Sequence, residues 1–254
     1  MPGPPRVVLF GDSHSYAIQR AIEKRHAKGR PVPLAAHRLL KIKGKKQVGD
    51  TSFEDFLEIV RSLQPHDVAL SMIGGNQYAV FSMIQHPQRF DFIEPDGHSK
   101  VDASAELIPY RLLADAFQQG IRGGDGRSLA ALRKATAARV VHIIPPPPKA
   151  DNDFIHQYHE SVFAKEGIAD LGVSSASLRM KFWQLQTRVL VELCDELGIE
   201  VMMPPAASRD PDGFLAKTCY ANDATHANDD YGELVLRDVE SRYSSQLAEV
   251  QSGS

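Results

Sequence analysis

The sequence has little of what marks a secreted, membrane-spanning or nucleic-acid-binding protein. Only two cysteines, Cys194 and Cys219, occur in 254 residues. That is too few for a disulfide framework, and their spacing suits neither a zinc site nor a redox CxxC pair, so both are expected as reduced thiols. No apolar run approaches the ~20 residues needed to cross a bilayer. The opening MPGPPRVVLFGDSH has neither the basic segment nor the long apolar segment of a secretory signal, and a cytoplasmic location is expected. The formal net charge of -3 creates no global field, so neither nucleic acid nor a membrane is expected as a partner, and charge can act only locally. Nothing here sets an oligomeric state. No repeat or low-complexity tract stands out beyond the four prolines at 145–148.

What the chain does have is alternation. Apolar, β-rich runs at Arg6–Phe10, Pro33–Leu40, Asp67–Ile73, Ala138–Ile144 and Ile199–Met203 predict strands. Between and after them, helical patterns fall at Tyr16–Lys28, Ser52–Leu63, Ala105–Ala137 in two pieces, Ser175–Leu197 and Asp229–Leu247. Parallel strands need crossover connections, so the pattern predicts an α/β fold: a three-layer α/β/α sandwich around five parallel strands in order 2-1-3-4-5. One domain over 1–254 is expected. Two long, poorly periodic stretches, Ala79–Ser104 and Pro145–Val173, read as insertions covering the functional side.

Ligands of such sheets bind beyond the carboxyl ends of the strands, where the strand order reverses. The turns there carry the chemistry. After the first strand, GDSHS puts Ser13 at a helix N-terminus, where free N–H groups favour a developing negative charge, although Ser13 or Asp12 could equally cap that helix. After the third, SMIGGNQY offers the Asn76 amide as an oxyanion donor or as an ordinary turn residue. After the fifth, NDATHANDDYG spaces Asp223 and His226 three apart, side by side on a single turn, as a general base and the carboxylate that orients it. Three separate turns thus supply a nucleophile, an oxyanion donor and a base.

On these residues the chain resembles the SGNH or GDSL hydrolases. FGDSHS is similar to their first block, GGN at 74–76 to their third and DATHAND at 223–229 to their last, in the same order along the chain. The resemblance implies a flavodoxin-like α/β/α fold and acyl transfer through an ester on Ser13, with Asp223 and His226 completing a triad and no cofactor or metal. The substrate it implies is a small-molecule or glycan ester carrying a short acyl group such as acetyl. Hydrolysis and O-acyl transfer use the same residues. The oxyanion hole would combine the N–H groups of Ser13 and Gly49 with the Asn76 side chain. Gly49, in QVGDTSFEDF just before a well-capped helix, suits the second block better than Gly44. His14 stands where GDSL proteins have Leu, as in the GDSH variant found in domains of some polysaccharide acyltransferases, and Gln77 stands where the family usually has Asp.

A second chemistry fits the same opening. Asp12 and His14 also resemble the first Asp-x-His of calcineurin-like metallophosphatases, which would make the chain a metal-dependent phosphoesterase. The rest of that pattern is missing: GDTSF lacks the second Asp, GGNQ lacks the His, and no GHxH occurs. The prolines at 145–148 could serve as a polyproline ligand, but directly after a strand they fit better as a stiff cleft wall. His26, His37, His66, His86, His98, His142, His156 and His159 have no ligand spacing and are expected to be solvated or structural. Finally, Lys41, Lys43, Lys45 and Lys46 crowd the turn after the second strand. They read either as a solvated loop or as a positive patch that binds an anionic substrate.

Overall fold

The computed structural model describes residues 6–43, 46–95, 97 and 100–243. Gly44, Lys45 and His98 lie outside the described residues, as does the expected helix beyond 243, and the side chains of Lys43 and Lys46 are likewise not described. In chain order the strands are β1 (Val7–Gly11), β2 (Leu34–Arg38), β3 (Lys41–Lys43), β4 (Lys46–Val48), β5 (Val68–Met72), β6 (Phe90–Asp91), β7 (Glu106–Leu107), β8 (Arg139–Ile143) and β9 (Glu200–Met202). The main helices are α1 (Tyr16–Ala27), α2 (Phe53–Arg61), α3 (Gln77–Ser82), α4 (Tyr110–Gly123), α5 (Asp125–Ala135), α6 (Asn152–Gln157), α7 (Ser161–Lys165), α8 (Ile168–Leu171), α9 (Ala176–Leu197) and α10 (Asp229–Arg242).

The central sheet has five strands in order β2-β1-β5-β8-β9, all parallel. Counting only its own strands in chain order, this is 2-1-3-4-5. Its inner strands are buried on both faces, which is why VVLFG and VALSM read as unbroken apolar runs rather than alternating ones. The alternation is in where the side chains go. Val7 and Leu9 join Leu70, Met72, Val141 and Ile143 in a core under α1 and α10. Val8 and Phe10 join Ala69, Val140, Phe56, Leu129 and Phe182 in the core under α2, α5 and α9. The helices therefore cover both faces, as a strand's period of two requires.

On the first of those faces α1 and α10 touch at Gly232, where a Cβ would run into the Ala17 carbonyl. Ion pairs from Arg25 to Glu233, at 2.8 Å, and to Glu240 flank the contact.

The connections depart from the sequence expectation in three places. The turn after β2 is a short antiparallel hairpin of β3 and β4. The two long stretches are not bare loops: 145–173 contains α6, α7 and α8, and 79–104 begins within α3 and carries β6, which pairs with β7 just after it. They also meet, with Gln85 N donating to Gly172 O at 3.0 Å and Ser174 N to Met83 O at 3.1 Å. Buried cations on α9 pin both. Lys181 Nζ donates to Asp91 Oδ1 at 2.8 Å and Phe92 O at 3.0 Å, while the Arg179 guanidinium donates to Lys149 O at 2.9 Å, Asn152 Oδ1 at 2.8 Å and the Ser174 carbonyl. Neither tie has a periodic signature in sequence.

Candidate active site

Strand order reverses between β1 and β5, and the two turns leaving those strands lie side by side. After Gly11 the chain enters a 3₁₀ turn, Ser13–Ser15, that runs straight into α1. Asp12 builds this turn. Its Oδ1 accepts from His14 N at 3.3 Å, its carbonyl accepts from Ser15 Oγ at 2.8 Å, and its Oδ2 reaches across to accept from Gly74 N at 3.1 Å. The carboxylate thus ties the end of β1 to the end of β5 and leaves Ser13 half-buried at the turn.

After β5 the chain turns on Gly74 and Gly75, at φ +84° and +94°. A side chain at either would be strained and would also collide, with the Asp125 carboxylate at Gly74 and the Pro145 ring at Gly75. Gln186, buried on α9, then straddles the next residue: its Nε2 donates to Gly75 O at 3.0 Å and its Oε1 accepts from Tyr78 N at 2.9 Å. This fixes the backbone at Asn76. The Asn76 side chain meets His14, with 2.8 Å between Oδ1 and Nε2. Gln77, in the place of the family's Asp, lies against Gly120 of α4.

Asp223 and His226 lie in the loop between β9 and α10. They are not on a helical turn, as their spacing suggested, but in a bend that the Asp223 carboxylate organises itself. Its Oδ1 accepts from Thr225 N at 3.0 Å and His226 N at 2.7 Å, and its Oδ2 lies 2.9 Å from His226 Nδ1. A carboxylate on Nδ1 puts the imidazole proton there and leaves Nε2 as the basic nitrogen. His226 Nε2 is buried and makes no hydrogen bond among the described residues, so Ser13 and His226 are not directly bonded here. Such contacts commonly tighten only when substrate binds. Burial works against ionising Asp223, but the His226 hydrogen bonds and the His226 and Lys149 charges outweigh it and hold the carboxyl well below the usual range.

Two residues without any sequence signature hold this loop. Lys149 is 1% exposed, lies 5.0 Å from the ring centres of both Phe154 and Tyr220, and donates through Nζ to Ala221 O at 2.6 Å and to the Asp223 carbonyl. Burial draws its pKa down to about 8, opposed by the Asp223 and Glu160 charges, so it stays cationic at neutral pH. Glu160, the residue before α7, accepts from Ala224 N at 3.0 Å and Thr225 Oγ1 at 2.6 Å, and its Oε1 is 3.6 Å from His226 Nδ1. The stretch 145–173 therefore supplies a second carboxylate beside His226.

Ser13, Asn76 and His226 line one cavity of about 440 Å³, with Glu160, Ser161, Glu166 and Thr225 as its other polar walls and Ala79, Val80, Val162 and Phe163 as its apolar ones. Gly49 is not among these residues; it sits at φ +86° beneath the Leu39 carbonyl, near the carboxyl end of β2. The helix after it is capped as its sequence implied, Ser52 Oγ accepting from Asp55 N at 3.0 Å. Asp12 and His14 do not form a metal centre with other ligating side chains among the described residues. Asp12 is committed to backbone amides and His14 to Asn76. Glu160, Asp223 and His226 do gather ligand atoms within 4.8 Å of one another, but those groups already bond each other and Thr225. Pro145–Pro148 are buried, with Trp183 Nε1 donating to Pro145 O at 3.3 Å, so they form a wall and offer no polyproline ligand.

Among the other histidines, His142 is fully buried in β8, 3.4 Å from Ser71 Oγ, and His37 is half-buried against Thr51. Both cysteines are buried free thiols. No helix among the described residues is long and apolar enough to cross a membrane.

No protein-family profile matches the sequence, and no curated protein is similar to it. Several solved structures are similar in shape. A carbohydrate acetylesterase from Sinorhizobium meliloti shares 12% identity, covering 95% of this chain and 99% of its own, with a TM-score of 0.46. The native aryl esterase of M. smegmatis shares 12%, covering 96% and 100%, with a TM-score of 0.46. A GDSL-like lipase from Bacteroides thetaiotaomicron shares 14%, covering 95% and 89%, with a TM-score of 0.46.

Proposed function

We propose that this chain is a serine esterase of the SGNH type. The observation that carries it is the convergence of Ser13, the Asn76 amide and the basic nitrogen of an Asp223-oriented His226 on one cavity at the switch point of the sheet. In this reading His226 Nε2 takes the proton of Ser13 Oγ as that oxygen bonds to the ester carbonyl carbon. The tetrahedral oxyanion is received by the Ser13 N–H and by Asn76, with the Gly49 amide as the third donor from the same edge of the sheet. Collapse of the intermediate expels the alcohol, which takes the proton from His226. Water, deprotonated by the same histidine, then attacks the acyl-enzyme and releases the acid and free Ser13. An alcohol in place of that water makes the same residues an acyltransferase.

The walls favour a neutral ester with a short acyl chain. Four apolar side chains and two carboxylates face the space, and among the described residues no lysine or arginine does. A phosphate ester handled through Asp12 and His14 is disfavoured because both side chains are already engaged within the protein.

The test is a panel of p-nitrophenyl esters from acetyl to octanoyl, with and without a carbohydrate acceptor, alongside fluorophosphonate labelling. Labelling at Ser13 and faster release from short esters support the proposal. Labelling that persists in Ser13→Ala, or activity lost to EDTA and restored by manganese, would overturn it. Acceptor-dependent release would mark a transferase.

A further inference from the structure

His14 follows the proposed nucleophile and is 2% exposed, yet the chemistry above gives it no task. Its ring lies 5.0 Å from that of His226, centre to centre, and its Nδ1 is buried without a partner. Burial, reinforced by the nearby His226, lowers its pKa to about 4. At neutral pH the ring is therefore uncharged and carries one proton. A carbonyl oxygen can only accept, so with Asn76 Oδ1 at 2.8 Å that proton is on Nε2. The reverse arrangement, with the amide turned over and the proton on Nδ1, would strand a buried N–H with no acceptor, the rarer and costlier fault.

We propose that His14 is a positioning residue: by donating to Asn76 Oδ1 it fixes the amide so that Nδ2 faces the space in which the oxyanion forms. Gln186 already holds the main chain on both sides of Asn76. What it leaves unset is the terminal torsion of the side chain, which is broad and roughly two-fold. The two settings have opposite effects, because Nδ2 stabilises an oxyanion and Oδ1 repels one. A neutral imidazole suits the task, since it donates without placing a second cation against His226 as that base becomes protonated. What Asn76 gains by this rests on the esterase proposal; the hydrogen bond itself does not.

The experiment compares His14→Leu and His14→Gln, each alone and with Asn76→Ala, after thermal unfolding confirms that the variants fold. Leu should lower kcat about 10-fold with KM nearly unchanged, and Gln, whose amide nitrogen comes close to the place of Nε2, should recover most of it. With Asn76→Ala in the background, Leu should cost nothing further. An equal loss in both backgrounds would overturn the proposal. Long-range ¹H–¹⁵N spectra of the unmodified protein supply a readout that needs neither turnover nor the Leu variant. They should show His14 as the Nε2–H tautomer from pH 6 to 8, and the Nδ1–H tautomer would refute the clamp. A protein that fluorophosphonate does not label at Ser13 sinks the esterase reading, and the spectra then decide the clamp alone.

Discussion

Ser13 and Asn76 reach the cavity from the ends of neighbouring strands, each within a few residues of a backbone ladder, whereas His226 reaches it from a stretch with no regular structure. The first half inherits its geometry from the register of β1 on β5, with Gly11 opposite Met72, and is closed by the Asp12 carboxylate and the Gln186 amide. The second half has only a single antiparallel bridge, Tyr220 opposite Ala227. Side chains hold the rest, with Asp223 folding its own turn and Lys149 and Glu160 gripping that turn from another part of the chain. Backbone-built geometry is stiff and local, while side-chain-built geometry depends on charges kept in low dielectric, where each is valuable when paired and costly when stranded.

The comparison can be tested by removing one member at a time. The largest effects should fall on the groups that touch the substrate in either half: Ser13→Ala and His226→Ala should each lower kcat/KM for p-nitrophenyl acetate by about 10³-fold or more, with little change in thermal stability. Asn76→Ala should cost about 10²- to 10³-fold, mostly in kcat.

The two halves should then separate at their supports. Lys149→Met strands two carbonyls and unbalances Asp223, and Lys181→Met strands the buried Asp91. Both should lose roughly 3 kcal/mol by urea unfolding, but only the first should also lower kcat. Equal kcat in the two variants would mean that the base loop stands without its lysine.

Acid should distinguish the halves differently. His14 and His142 both have pKa values lowered by burial to about 4. Between pH 6.5 and 4 the unfolded chain takes up protons there that the folded chain refuses, so stability falls with pH across that window, by up to about 3 kcal/mol per histidine. Asp223, whose pKa is held below the ordinary carboxylate value, withdraws its contribution as pH falls from that ordinary value toward its own lower one. Urea titrations at pH 7 and 4.5 should show the loss, and His142→Asn should roughly halve it.

The smallest effect concerns neither half. Replacing two of Lys43, Lys45 and Lys46 by Glu should raise KM for an acidic ester several-fold, weaken its salt dependence and spare a neutral one if these lysines steer substrate. Equal effects on both esters would return them to the solvent.

The same division explains what could be read before the fold was seen. Five parallel strands follow from apolar runs alternating with amphipathic helices, and Ser13 and Asn76 follow because turns leaving such strands sit at one edge. Asp223 and His226 were readable as a pair only because they stand three positions apart; the bend that joins them is not helical. Glu160, Lys149 and Gln186 left no trace, since their partners lie 64, 74 and 111 residues away and no periodicity connects such distances. His14 was visible only as half of an Asp-x-His pair that suggested a metal ligand in a pattern otherwise missing; its burial and its Asn76 partner, 62 residues away, left no trace.

The contact between Gly232 and the Ala17 carbonyl has a reach beyond packing. One of the two helices it joins begins at the nucleophile's turn and the other at the base's loop, so they meet like the arms of a pair of tongs a few residues behind the jaws. A methyl group inserted at that pivot would push the arms apart and widen the gap between hydroxyl and imidazole without altering a single group that touches substrate. In the proposed reading the spacing of Ser13 and His226 thus depends on the absence of a side chain at Gly232.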